Sequence, residues 1–342
     1  MKKELHLEDL ELYLDETYIY LDLVFLNKFL INASKDSSPA SNRMFIEKIG
    51  LVFNTKINKS MGLYQTLRGV RPLRFSILRK IKIYSTFSWL EIEQNIFGIK
   101  VKRGQVTHIK FPFKIGKDLG CIVGHILGDG SIDKRSDYLF FSNKNKDLLQ
   151  EFYSSMDRLF AIEPRIWLQE SGNFITQNKW IKRVQSIDEV PSDQNAALFY
   201  PKICVLLIKA MLGNFAEGKN KKITSEILSA PKEFQIGLLR AFCDSDGTID
   251  KTHGPRLFQD DKKILQDFSI ILSQLGIQAS SIHFYIKKEK MRYYIDITNK
   301  QNYRRFYEII GCTSKNKAKT LKKLVEASYI YGNITLINPR PR

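Results

Sequence analysis

The chain has 342 residues, of which 43% are hydrophobic and 26% are charged, and its formal net charge is +18. These proportions are typical of a soluble globular protein, and the many acidic residues among the first 30 exclude a secretory signal or a membrane span there. The four cysteines are far apart in the sequence, which argues against a thiolate zinc site or a disulfide framework.

The positive charge is concentrated in two blocks, residues 41–110 and 281–342, on either side of a nearly neutral centre. A balance of this kind favours a polyanionic partner such as nucleic acid, although a lysine-rich solvated surface would give the same composition. We therefore predict a nucleic-acid-binding protein without a membrane partner. Its predicted location is the cytoplasm, or the nucleus or an organelle if the host is eukaryotic.

Residues 1–112 are predicted to form a mainly helical N-terminal domain. Apolar residues at helical spacing predict three short helices, Phe45–Phe53, Met61–Leu67 and Phe75–Ile83. Arginines cluster near the start of the third helix: Arg68, Arg71 and Arg74. The arrangement weakly resembles a helix-turn-helix module, in which these arginines would contact DNA. A basic helical bundle with no role in reading a DNA groove is the alternative.

The rest of the chain contains an internal repeat with an offset of 117 residues. Gly128–Lys134 (GDGSIDK) recurs as Ser245–Lys251 (SDGTIDK). Small residues occupy every fourth position up to each motif: Gly120, Gly124 and Gly128 in the first copy, and Gly237, Ala241 and Ser245 in the second. The repeat predicts two similar halves, residues 113–228 and residues 229–342.

Each half is predicted to contain a helix that ends in the acidic motif, then a strand, an amphipathic helix and further strand. The predicted elements after the first motif are Tyr138–Ser142, Lys146–Phe160 and, as a weaker strand, Asn173–Val184. Those after the second motif are Arg256–Gln259, Lys262–Leu275, Ser281–Ile286 and Arg292–Thr298. This order of elements predicts an α+β fold.

The small residues predict a close contact between the two motif helices. A stripe of small side chains lets helices approach more closely than the usual ~8–10 Å, and would bring Asp129 and Asp246 together. Two carboxylates at the negative ends of two helix dipoles repel each other, so a divalent cation is the expected counter-charge. Mg²⁺, or Mn²⁺ in its place, suits such a pair because it binds few carboxylates together with waters and phosphate oxygens. One Asp-Gly pair alone would be read as a helix stop.

Leu119–Ile132 (LGCIVGHILGDGSI) and Gly237–Ile249 (GLLRAFCDSDGTI) resemble the two motif copies of LAGLIDADG homing endonucleases. The resemblance covers about residues 112–330 and includes Gly218–Lys222 and Ile309–Leu324. It implies a monomer folded as a pseudo-dimer of two αββαββα halves, whose antiparallel sheets form a saddle over the DNA major groove. The chain looks free-standing rather than an intein, because it lacks the terminal residues that splicing requires.

The resemblance also implies site residues. Asp129 and Asp246 would be the catalytic, metal-binding acids, one for each scissile phosphate, and the carbonyls of Gly128 and Ser245 would be additional metal ligands. Family members place lysines or polar groups near the metals, but no spacing rule selects them here. The candidates, which would otherwise be plain DNA contacts, are Lys179, Lys182, Lys287, Lys288, Lys290 and Arg292.

The sequence thus predicts a metal-dependent, sequence-specific endonuclease that cuts double-stranded DNA. One alternative is a DNA-binding regulator that has kept the fold and lost cleavage. Retention of both acids argues against it, because a protein that does not cut has no need of two mutually repelling carboxylates. The other alternative is a maturase that binds intron RNA, which charge alone does not distinguish from a DNA-binding protein.

Overall fold

A computed structural model of the chain describes residues 4–10, 14, 17–34, 72–101, 104, 106–135, 138–169, 180–192, 194–218, 220–287 and 289–334. The predicted helices Phe45–Phe53 and Met61–Leu67 lie outside the described residues, as do Arg68, Arg71, Lys179 and Lys288. In the described part of the chain, no helix combines the length and the apolar character that crossing a bilayer requires.

The described N-terminal residues contain more helix than strand. Their elements are β1 (Glu4–Leu5), a 3-10 turn (Leu7–Leu10), β2 (Thr17–Leu21), α1 (Leu23–Ser34), β3 (Leu73–Arg74), α2 (Phe75–Tyr84), α3 (Trp89–Gln94) and β4 (Ile96–Val101). Helix α2 confirms the helix predicted at Phe75–Ile83. The antiparallel sheet β3-β2-β4 was not predicted, because such short strands contain too few residues for a clear alternation of apolar and polar side chains.

The first half contains a five-stranded antiparallel sheet with the strand order β6-β7-β10-β8-β9. Its elements are β5 (Phe113–Lys114), α4 (Lys117–Leu127), β6 (Gly130–Ile132), β7 (Tyr138–Asn143), α5 (Lys146–Phe160), β8 (Arg165–Gln169), β9 (Trp180–Val184), a 3-10 turn (Ile187–Glu189), β10 (Ala196–Pro201) and α6 (Lys202–Leu212). The strand and helix predicted at Tyr138–Ser142 and Lys146–Phe160 are confirmed.

The second half contains a four-stranded antiparallel sheet with the order β13-β14-β16-β15. The elements from the connecting segment onwards are β11 (Ala216–Glu217), β12 (Asn220–Lys221), α7 (Ser225–Leu228), α8 (Lys232–Asp246), β13 (Gly247–Asp250), β14 (Gly254–Gln259), α9 (Lys262–Gln274), β15 (His283–Lys287), β16 (Lys290–Asp296), α10 (Lys300–Arg305), a π-helical turn (Phe306–Ile310) and α11 (Lys315–Ile334). The αββαββα order and the strands and helix predicted in this half are confirmed.

One sequence prediction in the first half was confirmed only in part: the strand predicted within Asn173–Val184 is present as β9, and residues 173–179 lie outside the described residues. Asn173–Val184 was expected to be the counterpart of the last strands of the second half, but those counterparts are β8 and β10, and β9 is an additional edge strand. The central strand β10 was missed because its apolar run continues directly into the apolar helix α6, so no change of period marks the strand.

Each sheet has a helix-covered face and an opposite face, here called the open face. In the first half Phe141 and Leu198 are buried beneath the helices, whereas Phe140 on the open face is only half-buried. In the second half Leu257 is buried and Phe258 is half-buried in the same way. The alternation of side chains along a strand therefore separates a core face from a face that is free to contact a ligand.

Helices α4 and α8 cross with their backbones in direct contact. A Cβ atom at Gly120 would overlap the carbonyl oxygen of Phe234 and lie 2.9 Å from the amide nitrogen of Leu238. A Cβ atom at Gly237 would likewise overlap the carbonyl oxygen of Lys117. The close contact predicted from the small residues is confirmed, and it places the ends of the two motif helices side by side.

We expect Gly120→Ala to lower the free energy of unfolding by about 2 kcal/mol or more, because the added methyl group meets backbone that cannot rotate away. Chemical denaturation followed by circular dichroism measures this change. Gly116→Ala is the matched control, since a Cβ atom there would meet nothing within 4 Å. It should cost less than about 1 kcal/mol, from the changed N-cap of α4. Equal stability of the two variants would contradict the backbone contact.

Candidate metal centre

Asp129 and Asp246 lie where the two crossing helices end. Helix α8 ends at Asp246, and Asp129 follows Gly128, the residue that caps α4. A Cβ atom at Gly128 would overlap the Cβ atom of Ser245, so the two helix ends touch one residue before each acid. Asp246 opens onto a cleft of about 820 Å³ whose lining comes from both halves and includes Ser131, Asn220, Lys221, Gln259, Asp260 and Arg292.

The surroundings of both carboxylates raise the cost of ionising them, and Asp246 contributes to this cost at Asp129. Burial, and then the negative charge of Asp246, raise the pKa of Asp129 to about 6, although the ammonium groups of Lys221 and Lys317 act in the opposite direction. Burial also raises the pKa of Asp246, and the carboxylate of Asp260 adds to this rise. Even with two lysines nearby, the pair therefore holds uncompensated negative charge that a cation would neutralise.

Two lysines that sequence reasoning did not select lie directly beneath the helix ends. The Nζ atom of Lys221 donates to the carbonyl oxygens of Leu127, at 3.0 Å, and Gly128. The Nζ atom of Lys317 donates to the carbonyl oxygens of Cys243, Asp244 and Gly247 at 2.9, 2.6 and 2.8 Å. Each lysine satisfies carbonyls at the negative end of a motif helix and places a positive charge next to the acids.

The only sequence signal for these lysines was their position in family-like segments. Lys221 lies in Gly218–Lys222 and Lys317 lies in Ile309–Leu324, both of which resemble the LAGLIDADG family. Several lysines occur in each segment, and no sequence pattern distinguishes a lysine that binds the carbonyls at a helix end. The contact becomes visible only once the connecting segment and α11 are folded against the motif helices.

Amide side chains stand beside both acids at equivalent strand ends. The Nδ2 atom of Asn143, the last residue of β7, donates to Oδ2 of Asp129 at 2.8 Å. Gln259, the last residue of β14, lines the cleft together with Asp246. Such neutral groups can orient a carboxylate or a water without adding charge, and the sequence analysis did not select either of them.

A buried network behind the acids connects the two halves. His125 is fully buried and hydrogen-bonds to Oγ of Ser245 and to Glu151, each at 3.0 Å. Thr313 donates to Glu151 at 2.5 Å through its hydroxyl and to Asp244 at 2.6 Å through its backbone amide. Asp244 is therefore bound within the interface rather than directed into the cleft.

The other predicted site residues are dispersed. Arg292 lines the cleft and forms an ion pair with Asp260 at 3.3 Å, so the fold brings it to the acids. Lys287 and Lys290 face each other, exposed, at the tip of the β15–β16 hairpin, and Lys182 is exposed on β9. Arg74 contacts the Tyr18 hydroxyl at 3.4 Å in the N-terminal sheet.

The carbonyl oxygen of Gly128, a predicted metal ligand, accepts a hydrogen bond from Lys221 and keeps a second lone pair.

The donor set suits a hard divalent cation. Carboxylate and carbonyl oxygens surround the helix ends, and the described residues contain no group of three or more histidine, cysteine, aspartate or glutamate side chains that could hold a metal ion. Two carboxylates supply too few ligands for a complete octahedral shell, which leaves positions for waters and for phosphate oxygens. This incomplete set is the kind of site that Mg²⁺ occupies in phosphoryl-transfer enzymes.

The raised pKa of Asp129 determines whether the stability of the fold rises or falls with pH. In the folded chain this pKa is about 6, above the value of about 3.9 for an unfolded aspartate, so ionisation disfavours the folded state. The penalty is absent below about pH 4 and grows as the pH rises through about 6. Without metal we therefore expect Asp129→Asn to be more stable than the wild type at pH 7, and the difference to vanish near pH 4.

Thermal unfolding in EDTA and in Mg²⁺ measures this effect, and Mg²⁺ should raise the Tm of the wild type more than that of the variant. Asp250→Asn is a control of opposite sign, because backbone and hydroxyl donors of Thr252 and His253 outweigh burial and lower the pKa of Asp250 to about 2. That variant should be less stable than the wild type at pH 7. If Asp129→Asn were also less stable at pH 7 without metal, the assigned repulsion would be wrong.

Part of this chain is similar to known proteins. Residues 233–311 match the family model described as a LAGLIDADG-like domain. The chain is 26% identical over 208 residues to the Replication factor C small subunit of Methanocaldococcus jannaschii, across 60% of this chain and 10% of that protein. The chain thus spans about a tenth of the length of this curated relative.

The solved structures similar to this one include the following two. The first is I-DmoI in complex with DNA and Mn, at 17% identity and a TM-score of 0.39, across 58% of this chain and 97% of that chain. The second is full-length DUF199/WhiA from Thermatoga maritima, at 14% identity and a TM-score of 0.39, across 65% and 68% of the two chains. The family match lies on the second motif half, and the first half repeats its acidic motif and small-residue stripe. Residues 233–311 thus match a LAGLIDADG-like domain, which confirms the family resemblance predicted from the two motifs.

Proposed function

We propose that the chain is a metal-dependent, sequence-specific endonuclease of the homing type that cuts both strands of double-stranded DNA. The observation that carries this proposal is the pair of acids at the meeting ends of α4 and α8. Burial raises the cost of ionising both acids, and the charge of Asp246 raises it further at Asp129. A cation held by Asp129 and Asp246 would remove this cost, and phosphodiester cleavage is the chemistry that such a site supports.

The residues of the site would have different roles in the proposed cleavage. Asp129 and Asp246 would hold the cation, with the carbonyls of Gly128 and Ser245 as additional ligands. Bound Mg²⁺, or Mn²⁺, would polarise the scissile phosphates and lower the pKa of a bound water. Asn143 holds the Asp129 carboxylate in one orientation, and Lys221 and Lys317 supply positive charge where a phosphorane would accumulate negative charge.

The basic residues around the site would provide affinity for duplex DNA. Lys182, Lys287, Lys290 and Arg292 lie on the strands or hairpin of the two sheets, whose open faces would enter the major groove. Two halves in one chain would act as a monomeric pseudo-dimer, with one half for each half of the target. The N-terminal domain, with Arg74 and with a helix-turn-helix that would include Arg68 and Arg71, would add contacts outside the central site.

The direct test is cleavage. A plasmid that carries the insertion locus of the chain's own gene should be cut to the linear form in Mg²⁺. Asp129→Asn or Asp246→Asn should leave nicked circles or no product while DNA binding persists, because each acid serves one strand. Asp133→Asn is the matched control: Asp133 follows the first motif acid by four residues and accepts from the backbone of Arg135, so this variant should still cut.

Other outcomes would assign another function. Duplex binding without a break, across candidate sites and divalent metals, would identify a regulator that has kept the fold. Preferential binding to an intron transcript would identify a maturase. Retained cleavage in both acid variants would show that the reaction is carried out elsewhere.

The positive charge of Lys221 is expected to affect both the rate and the pH dependence of cleavage. Lys221→Met removes a positive charge next to both acids, so the cleavage rate should fall on the order of 10²-fold. The acid limb of the pH–rate profile should move to higher pH, because Lys221 lowers the pKa of both Asp129 and Asp246. Lys222→Met, at the exposed neighbouring lysine, should change neither quantity. A slower enzyme with an unmoved pH profile would assign Lys221 a purely structural role.

A further inference from the structure

The open faces of the two sheets can be compared residue by residue. Each motif glycine pairs with a buried residue of the following strand: Gly130 with Phe141 in the first half, and Gly247 with Leu257 in the second. Phe141 and Leu257 are therefore equivalent positions. The residue before each of them is here called the outer position and the residue after each the inner position, because the inner one is next to Asn143 or Gln259 at the acids.

In the first sheet the outer position is aromatic. Phe140 pairs across the strands with Phe199, and their rings stack with centroids 5.4 Å apart. Tyr138, 39% exposed, extends this cluster and lies 5.6 Å from the ring of Phe199. At the inner position the facing pair is Ser142 and Ala197, both small. On β7 and β10 the aromatic pair therefore lies at the outer position, and the aromatic residue of the inner row, Trp167, lies one strand further out, opposite Ala197.

In the second sheet the order is reversed. The outer position carries Arg256, which forms an ion pair with Asp296 at 2.5 Å and stacks its guanidinium 4.4 Å from the centroid of Tyr294. The inner position carries Phe258 opposite Tyr294, with ring centroids 5.9 Å apart, and His283 lies next to Tyr294 on the adjacent strand. The aromatic surface of this half therefore lies next to the acids.

The outer and inner positions are two residues apart, which corresponds to about 6.6–6.8 Å along a strand. Stacked nucleotides rise about 3.4 Å each, so this displacement is close to two base pairs. An aromatic pair in one half and an ion pair at the equivalent place in the other cannot read the same base. The two sheets thus fit an asymmetric target rather than a palindrome.

The chemistry of the major groove indicates which bases fit. In a duplex the faces of the bases are hidden in the stack, and the apolar group that projects into the major groove is the 5-methyl group of thymine. A guanidinium held by a carboxylate and a ring is suited to the O6 and N7 acceptors of guanine. Exposed Arg165, opposite Phe199, and Arg183, opposite Trp167, lie on the same face of the first sheet, where phosphates would neutralise them.

We infer that Phe140 and Phe199 read thymine methyl groups in one half-site, and that Phe258 and Tyr294 read thymine about two base pairs nearer the centre of the other. Arg256 reads guanine at the outer position of that second half-site. The inference rests on the proposed function in one respect, namely that the open faces lie in the major groove of a duplex. It adds the sequence class of the target and the residues that select it.

Selection from a random duplex library in EDTA tests this assignment without knowledge of the natural target. The wild type should enrich a non-palindromic site with thymine in both half-sites at unequal distances from the centre. Phe199→Ala should lose the thymine preference in the half-site where thymine lies further out and keep the other half-site. Tyr294→Ala should do the reverse, and Phe199→Leu, which keeps an apolar side chain, should retain most of the preference.

Replacement of thymine by deoxyuridine isolates the methyl group. Each replacement at a selected position should weaken binding by the wild type about three- to fourfold, equivalent to the ~0.8 kcal/mol of one buried carbon group. Phe199→Ala should bind the thymine and deoxyuridine duplexes of its own half-site equally. Equal binding of both duplexes by the wild type, or an unchanged selected sequence for Phe199→Ala, would overturn the inference.

The two proposals fail in different ways. Enrichment of duplexes with no dependence on the thymine methyl group would reject the reading assigned to the aromatic pairs and leave the nuclease proposal intact. No enrichment of any duplex, or stronger binding of the single-stranded form of the library, would reject duplex docking itself and thus both proposals. In the single-stranded case the rings would stack on unpaired bases, as aromatic side chains do in proteins that bind single strands.

Discussion

The backbone contact between α4 and α8 is the constraint on which the rest of the structure depends. Glycine at positions 120, 124 and 237 lets the helices meet without intervening side chains. The same contact fixes the distance between the two halves and places one acid from each half at neighbouring helix ends. Any residue that separated the helices would both weaken the interface and move the acids apart, so packing and chemistry share one interaction.

The contact has an electrostatic cost, and the surrounding residues reduce it only in part. Lys221 and Lys317 bind the carbonyls at the negative ends of the helices. Behind the acids, His125 and Glu151 of the first half bond to Ser245 and Thr313 of the second. Ion pairing of Lys315 with Asp147 adds a further link between the halves. The pKa of Asp129 nevertheless stays near 6, so the fold retains a deficit of positive charge that a divalent cation and phosphate would complete.

The two halves match at the helix ends and differ on the open faces of their sheets. At the helix ends both keep an acid, a lysine and an amide in equivalent places, because two chemically identical strands would have to be cut. On the open faces the equivalent positions differ, with stacked Phe140 and Phe199 in one half and the ion pair of Arg256 and Asp296 in the other. Under the proposed function, chemistry common to both strands would restrain the first set, whereas nothing would require the two half-sites of a target to match.

The sequence by itself determined the repeat, the helix contact and the bounds of α2, α5 and α9 to within a residue, because small-residue spacing and apolar periodicity are local patterns in the sequence. Helix α5 was predicted at its observed bounds for this reason. Only the tertiary structure decided that Lys221 and Lys317 reach the helix ends, that β10 is the central strand of its sheet, and that Asn143 holds Asp129. These contacts join residues far apart in the chain, and their geometry depends on which surfaces pack together, information that no periodicity carries.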